Sequence, residues 1–337
     1  MNAQRKPGFY LALLSTLFAV SVVVLGAFTR LVDAGLGCPD WPTCYGHIWA
    51  PQTELEIAMA NEAYPEIPVD LNKTWPEMVH RYLASTLGLL IIGLVVIAVR
   101  NRHREGQPVK LPIFLLAFVC LQGAFGAWTV TLKLWPQVVT AHLLGGFTTF
   151  ALLAVLTFRL SGLRFPALSA KRVRRVLKPL AAWTLVAVIV QVFLGGWTTS
   201  NYAALACPDF PKCQTQWWPD LNFQDAFDFA HPIGPNYLGG QLEIPARTAI
   251  HLTHRIGAVV VTVLTLALAF VLVQQRQRGW ALLLTGLLAA QVALGISNVV
   301  LGLPLIVAVL HNLGGALLLL SVALLNVILN RKEVAYV

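Results

Sequence analysis

Eight long apolar segments constrain this chain more than any other feature. They cover roughly residues 9–29, 78–99, 111–132, 138–160, 179–200, 248–273, 279–302 and 304–329. A run of about 20 apolar residues is long enough to cross a bilayer as a helix, and a helix satisfies its own backbone hydrogen bonds in lipid. Only 12% of the residues are charged. The sequence therefore predicts an all-α integral membrane protein with eight transmembrane helices in the lipid bilayer.

The charged residues predict how these helices are oriented. With the N-terminus inside, the cytoplasmic segments carry 17 of the 24 Lys and Arg, while the long opposite segments 30–77 and 201–247 carry 13 of the 15 Asp and Glu. Because basic residues favour the cytoplasmic side, we expect an N-in/C-in topology with two large outer loops. The net charge of +9 reflects this bias and does not indicate nucleic-acid binding, since no reading motif accompanies it. The basic run 171–175 is then a topology signal beside anionic lipid.

The chain repeats its polar landmarks at a shift of 169 residues. The matching pairs are Cys38 and Cys207, Cys44 and Cys213, Gln122 and Gln291, and His142 and His311. His80 matches His254 at a shift of 174, which implies five extra residues in the second outer loop. We therefore predict two repeat-related four-helix bundles. The N-terminal half covers residues 1–160, a basic cytoplasmic linker covers 161–178, and the C-terminal half covers 179–337.

Four of the eight histidines lie at repeat-related places in predicted membrane helices, about three to seven residues below the outer helix ends. They are His80, His142, His254 and His311. A single intramembrane histidine is often a helix–helix hydrogen bond. Two histidines at one depth on facing helices can also ligate a haem iron from opposite faces, whereas such a pair alone supplies too few ligands for zinc. The glycines in "HLLGG" and "HNLGG" then leave room for a porphyrin, with close helix packing as the alternative.

The residues beside the first histidine of each half differ between the halves. Arg81 and Arg255 follow these histidines and are candidate partners for haem propionates, or else snorkelling interfacial arginines. Three residues before the histidine stands Glu77 in one half and His251 in the other, on the ligand's face of the helix. A carboxyl group there can transfer protons or stabilise a developing cation. The alternative is that Glu77 is the solvated first turn of a helix.

Over its whole length the chain resembles the haem A synthase family. The resemblance rests on "RLVDAGLGCPDWPTCYG", "EMVHR", "TAHLLGG", "HLTHR" and "VLHNLGG", in this order. It implies an oxidoreductase that converts a ring methyl group of haem O to a formyl group, giving haem A for terminal oxidases. It also implies a bacterial inner membrane with the large loops on the periplasmic side. Haem O synthase and oxidase assembly factors are the candidate protein partners.

Carried over by position, the resemblance also implies roles for single residues. His80 and His142 are then the axial ligands of the substrate haem, and Glu77 is the catalytic glutamate. His254 and His311 are the axial ligands of a resident haem b, the cofactor. The sequence leaves open the electron acceptor, the source of the formyl oxygen and whether the protein forms homo-oligomers.

Each predicted outer loop carries one cysteine pair, Cys38 with Cys44 and Cys207 with Cys213. Loops outside a bacterial plasma membrane meet an oxidising compartment, so we predict one short disulfide in each half. A closed loop this small contributes on the order of 2 kcal/mol, and its better use is as a lid over the histidines. A redox role for the first pair is the alternative. Cys120, without a repeat counterpart, is predicted to be a packing residue.

Two other functions account for part of these features. A diheme b-type electron carrier explains the four histidines but leaves Glu77 without a role. A membrane thiol oxidoreductase would use the outer cysteine pairs, although reactive pairs usually have C-x-x-C spacing and these are separated by five residues. The loop histidines His47, His103 and His231 are assigned no role.

Overall fold

The computed structural model of the chain describes residues 5–163, 171–230 and 232–330, without the side chains of 171–174. Part of the predicted linker, part of the basic run 171–175, and His231 therefore lie outside the described residues. The described chain forms ten helices and no β-strand. The helices are α1 Phe9–Leu31, α2 Glu54–Ala63, α3 Leu71–Arg100, α4 Lys110–Thr131, α5 Pro136–Leu160, α6 Lys171–Ser200, α7 Phe223–Ala226, α8 Ile244–Gln274, α9 Arg278–Val300 and α10 Leu305–Asn330.

Eight of these helices, all except α2 and α7, are long and apolar enough to cross a membrane. The prediction of an all-α, multi-pass membrane protein is therefore confirmed. Three helices begin earlier than predicted: α3 at Leu71, α6 at Lys171 and α8 at Ile244, rather than at 78, 179 and 248. The side chain of Asp70 caps α3 by accepting from the Asn72 N–H at 2.9 Å, which stabilises an earlier start. The histidines of α3 and α8 consequently lie deeper in their helices than predicted.

The eight long helices form two rings of contacting neighbours. In the first ring α1, α3, α4 and α5 contact one another in that cyclic order, and α6, α8, α9 and α10 do the same in the second ring. Between the rings, α5 contacts α6 and α10, and α1 contacts α10. All eight helices share one core of buried aliphatic side chains, held by close packing. Representative members are Ala12, Ile91, Leu115, Leu153, Leu177, Leu268, Leu284 and Leu325.

Two hydrogen bonds between the rings join residues that are 169 positions apart. The guanidinium group of Arg30 donates to the Thr199 carbonyl at 2.6 Å and lies 4.2 Å from the centre of the Tyr202 ring. The Tyr202 hydroxyl donates to the Asp33 carboxylate at 2.8 Å. These two hydrogen bonds have the spacing of the predicted repeat.

The long segments between α1 and α3 and between α6 and α8 each contain a short helix that the sequence analysis did not predict. Helix α2 begins with a capping box in which Thr53 and Glu56 each accept from the other's backbone N–H. Its Ala60 packs in a small core with Cys38 and Met78. Helix α7 is held by the Trp197 indole, which donates to a carbonyl of that helix at 2.8 Å. Helix α2 thus packs against the first cysteine pair, whereas α7 packs against α8 and Trp197 of α6.

The prediction that Cys120 packs inside the protein is wrong. Its side chain is exposed on the surface of α4. A thiol is weakly polar and behaves as a small hydrophobe, so it is compatible with a lipid-facing position on a membrane helix.

Candidate functional site: two histidine pairs

The structure brings the four membrane histidines together as two pairs, one pair within each ring of helices. The rings of His80 on α3 and His142 on α5 have their centroids 6.4 Å apart with an angle of 81° between their planes. His254 on α8 and His311 on α10 lie close enough to interact electrostatically. All four residues are intermediate in exposure, and the Nδ1 atoms of His80 and His311 are buried.

The geometry of the first pair fits a haem iron. Two imidazoles that ligate one iron from opposite faces have their ring centres about 6 Å apart, because each metal–nitrogen bond is about 2 Å long and the ring centre lies about 1 Å behind the nitrogen. The observed 6.4 Å matches this separation. Among the residues described, no three His, Cys, Asp or Glu side chains converge to form a multidentate metal site. Two histidines therefore suit a metal ion that is already held by four other ligands, as iron is by the porphyrin of haem.

Each of the four histidine rings packs through its Cε1 edge against a glycine of the preceding long helix, α1, α4, α6 or α9. A Cβ atom added to the glycine would lie between 2.8 and 3.2 Å from the histidine Cε1, which is closer than carbon atoms normally approach. Only glycine lets the ring approach its neighbouring helix this closely. The pairs are Gly26 with His80, Gly126 with His142, Gly195 with His254 and Gly295 with His311.

Three of the histidines are also held by a glutamine, in an arrangement that we name the glutamine clamp. The glutamine lies four residues before the glycine just described, and its amide nitrogen contacts the histidine ring at 3.0–3.4 Å. Its amide oxygen faces a second glycine three residues after the histidine, where any Cβ would overlap it. The clamps are Gln122, His142 and Gly145; Gln191, His254 and Gly257; and Gln291, His311 and Gly314.

The glutamine clamp corrects one prediction. The glycines that follow His142 and His311 were expected to leave room for a porphyrin. In the structure, Gly145 and Gly314 instead face the amides of Gln122 and Gln291. The first glycine of each pair therefore makes room for a side chain that fixes the histidine.

The fourth histidine, His80, has no glutamine clamp. The position four residues before its glycine is Val22, and the position three residues after the histidine is Leu83. Its Nδ1 is buried without a hydrogen-bond partner, and its ring interacts with the backbone of Val22. The two members of the first pair are thus held differently.

Glu77 lies one helical turn from His80 and is only 4% exposed. Its Oε2 accepts from the backbone N–H of Cys38 at 3.0 Å, and its Oε1 forms an ion pair with Arg81. The alternative that Glu77 belongs to a solvated first turn is therefore wrong, because α3 begins at Leu71 and residues around Cys38 cover the carboxylate.

His251 occupies the corresponding position in the second ring and makes the corresponding contacts. Its Nδ1 accepts from the backbone N–H of Cys207 at 3.3 Å, and its Nε2 lies 3.2 Å from the Arg255 Nε. It is also buried. The two halves thus share one framework but differ in the ionisable group that it holds, a carboxylate in one and an imidazole in the other.

The two arginines fasten the cysteine loops, which we define as residues 37–46 and 206–215. Arg81 donates to the Pro42 carbonyl at 3.2 Å and the Thr43 carbonyl at 2.8 Å. Arg255 donates to three carbonyls of the second loop, those of Cys207, Asp209 and Lys212, at 2.8–2.9 Å. Both guanidinium groups are therefore bound to protein atoms rather than snorkelling. Their role as propionate partners stays a prediction.

Each cysteine loop contains the predicted disulfide, Cys38–Cys44 or Cys207–Cys213. An aspartate also fixes the loop from inside, since Asp209 accepts from the backbone N–H groups of Gln214 and Thr215 at 2.6 and 2.8 Å. Burial raises the pKa of this aspartate, but the backbone hydrogen bonds and the nearby charge of Arg255 together outweigh burial, and the pKa lies below its ordinary value. Asp40 makes the same kind of contacts in the first loop. The loops are therefore firmly held caps beside the histidine-bearing helices.

Comparison with known proteins identifies the family. Residues 9–323 match COX15-CtaA, described as cytochrome oxidase assembly protein. The chain belongs to the COX15-CtaA family. The matched region contains the four histidines, Glu77 and both cysteine loops.

Individual relatives of this COX15-CtaA protein are similar over nearly their whole length. The heme A synthase of Shewanella oneidensis is 45% identical over 325 residues, covering 96% of this chain and 97% of that protein. The heme A synthase of Chelativorans sp. is 30% identical over 315 residues, covering 88% and 83%. That of Halalkalibacterium halodurans is 25% identical over 329 residues, covering 95% and 96%.

Sequence reasoning found most of the side chains at the COX15-CtaA site but missed one clamp. The sequence analysis paired Gln122 with Gln291, and each begins a Gln-x-x-x-Gly pattern; "QVFLG" in α6 carries the same pattern. Its partner pattern, a glycine three residues after a histidine, recurs in "HRIG". Both signals were readable once the neighbouring helices were known.

Proposed function

We propose that the chain is a haem A synthase, which oxidises a ring methyl group of haem O to the formyl group of haem A. The observation that carries the proposal is the similarity, over nearly the full length of both proteins, to a relative named heme A synthase. The paired histidines support it, because their geometry suits bound haem.

The two histidine pairs have different occupants in this proposal. His80 and His142 hold the substrate haem O, while His254 and His311 hold a resident haem b. Haem b supplies one-electron transfer when bound. The difference between Glu77 and His251 supports the assignment, because only the first pair has a carboxylate within one helical turn of a ligand.

Glu77 serves as the proton acceptor for the reaction at the first pair. Oxidation of a methyl group removes hydrogen from it, so a base beside the substrate contributes directly to the rate. The Cys38 N–H and Arg81 hold the carboxylate in one position. A carboxylate held in this way can accept a proton or stabilise a developing cation.

The proposed setting is the inner membrane of a bacterium, with N-in/C-in topology and both cysteine loops in the periplasm. The distribution of basic residues supports this orientation, and the named relatives are bacterial. Within it, residues 1–160 form the substrate half, 161–178 the linker and 179–337 the haem b half. Haem O synthase is the proposed donor of the substrate. The family description supports oxidase assembly factors as further partners.

Changing Gly295 to Ala is expected to lower the haem b content of the purified protein about tenfold, the size of effect typical for residues that orient a metal ligand. The new methyl group would lie 3.0 Å from the His311 Cε1 and displace the ring. Gly286→Ala on the same helix is the matched control, since nothing lies within 4 Å of its added Cβ. Haem b is measured by pigment extraction. Equal haem content in the two variants would count against the assignment.

The function is tested by expressing the chain in a host that makes haem O but not haem A. Extracted pigments are separated by chromatography. We expect haem A to appear together with haem b, and neither the host alone nor the chain with His80→Ala to produce haem A. A protein that binds haem b but leaves haem O unchanged is an electron carrier, and that outcome overturns the proposal.

A further inference from the structure

We propose that His80 is the exchangeable ligand of the first histidine pair, and that Val22 and Leu83 make it so by replacing the glutamine clamp. The assignment of substrate to this pair rests on the proposed function. The difference in how the histidines are held rests on the structure alone.

The comparison involves four equivalent positions. In three of them the amide of Gln122, Gln191 or Gln291 contacts the histidine ring. Gln122 and Gln191 also donate to the backbone carbonyl of the histidine itself, at 2.6 and 2.9 Å. Because one glutamine contacts both the ring and the backbone of the histidine, it fixes the position of the ring relative to its own helix. At His80 the position is taken by Val22, whose side chain offers neither contact.

Val22 replaces the glutamine of the clamp and Leu83 replaces its second glycine, and the two replacements depend on each other. The amide oxygen of each clamp glutamine occupies the space that a Cβ would need at the second glycine. A glutamine at position 22 would therefore meet the side chain of Leu83, and a glycine at 83 without the glutamine would leave a gap. Both residues have to change together for the clamp to form.

His80, the histidine without a clamp, belongs to the pair at which haem has to be exchanged. Substrate haem has to enter the first pair and product has to leave it in each catalytic cycle, whereas a resident haem has to stay in the second pair. Gln122 and Gln191 contact the Nδ1 atoms of His142 and His254 at 3.0 and 3.1 Å. Gln291 contacts His311 more weakly, at Nε2 and 3.4 Å. Both ligands of the second pair are therefore contacted by a glutamine. His80 is thus the one ligand among the four that can move away without breaking a contact with a glutamine, since its own polar contact is with the backbone of Val22.

A hydrogen bond of ordinary net strength corresponds to about tenfold in an equilibrium constant. We therefore expect the clamp to change the rate of haem loss by about the same factor. Val22 and Leu83 act here as positioning residues, because neither has to touch the iron.

The test measures haem loss from protein loaded with haem b in both pairs, so that no turnover takes place. Excess apomyoglobin captures released haem, and its absorbance gives the rate. Wild-type protein is expected to lose haem in a fast and a slow phase. The double variant Val22→Gln with Leu83→Gly is expected to slow the fast phase about tenfold and to leave the slow phase unchanged, which also shows that the protein is folded.

The reverse substitution, which removes a clamp from the second pair, tests the same inference if the Val22→Gln, Leu83→Gly protein does not fold. Gln191→Val with Gly257→Leu removes a clamp from the second pair and is expected to speed the slow phase about tenfold. Carbon monoxide binding to the reduced protein gives a second readout. The wild type is expected to bind it at one haem, and the clamped variant at neither.

Unchanged rates in either folded double variant overturn the inference. So does carbon monoxide binding that persists in the clamped variant. Because the assay uses haem b without conversion, its failure leaves the synthase proposal intact. Conversely, a chain that fails to make haem A but shows the predicted rates overturns only the proposed function.

Discussion

Replacing Glu77 by Gln is expected to lower haem A formation at least about a hundredfold, the usual lower range for removing a general base. The amide keeps an oxygen that can accept from the Cys38 N–H, so we expect the local backbone conformation to be unchanged. It cannot accept a proton or carry the negative charge. The measurement is the rate of haem A formation by purified protein supplied with haem O, normalised to its haem content.

The control for this prediction is a substitution of His251, which occupies the corresponding position in the second ring of helices. His251→Gln changes a residue with the same two contacts, to Cys207 and Arg255, and is expected to retain most of the activity. Glu77→Gln also leaves the partly buried Arg81 without its ion-pair partner, which costs about 1–3 kcal/mol of stability. Thermal melting separates this loss from the catalytic one. A Glu77→Gln protein with normal activity would remove the catalytic role.

Removing a ligand of the second pair is expected to empty the resident haem site. His254→Ala or His311→Ala should lower haem b content by at least about tenfold, since even residues that only orient a metal ligand change affinity by about 10–100-fold. The same variants should also lose activity, because electrons no longer have a route from the substrate. Haem b is quantified in the purified protein by pigment extraction and absorbance.

The matched variants lie in the first pair. His80→Ala and His142→Ala are expected to retain haem b while losing haem A formation, because they leave the second pair untouched. Loss of haem b from all four variants alike would show that the two pairs share one role. Retention of haem b in the His254 and His311 variants would contradict the assignment directly.

Sequence patterns predicted the membrane helices and the histidine pairs because their signals are strong and local. Apolar length alone places eight helices, and the repeat relates His142 to His311 without any structure. The start of α3 was missed because "LNKTWP" is polar and contains Pro76, whereas the cap at Asp70 decides the boundary. Helix α2 was readable from the capping box in "TELE".

The surroundings of Glu77 and His80 were not predictable, because they depend on contacts between distant segments. No local pattern reveals that the backbone of Cys38 folds back onto the Glu77 carboxylate. The meaning of Val22 is similarly hidden, since a valine in a membrane helix is ordinary. It becomes informative only when α1 is seen beside α3 and Gln191 is seen at the corresponding place.

The most direct test of the division between the two pairs is an experimental structure of the protein with haem O bound. The account predicts a haem with its long isoprenoid chain between His80 and His142, beside Glu77, and a haem without that chain between His254 and His311. An isoprenoid-bearing haem between His254 and His311 would contradict it.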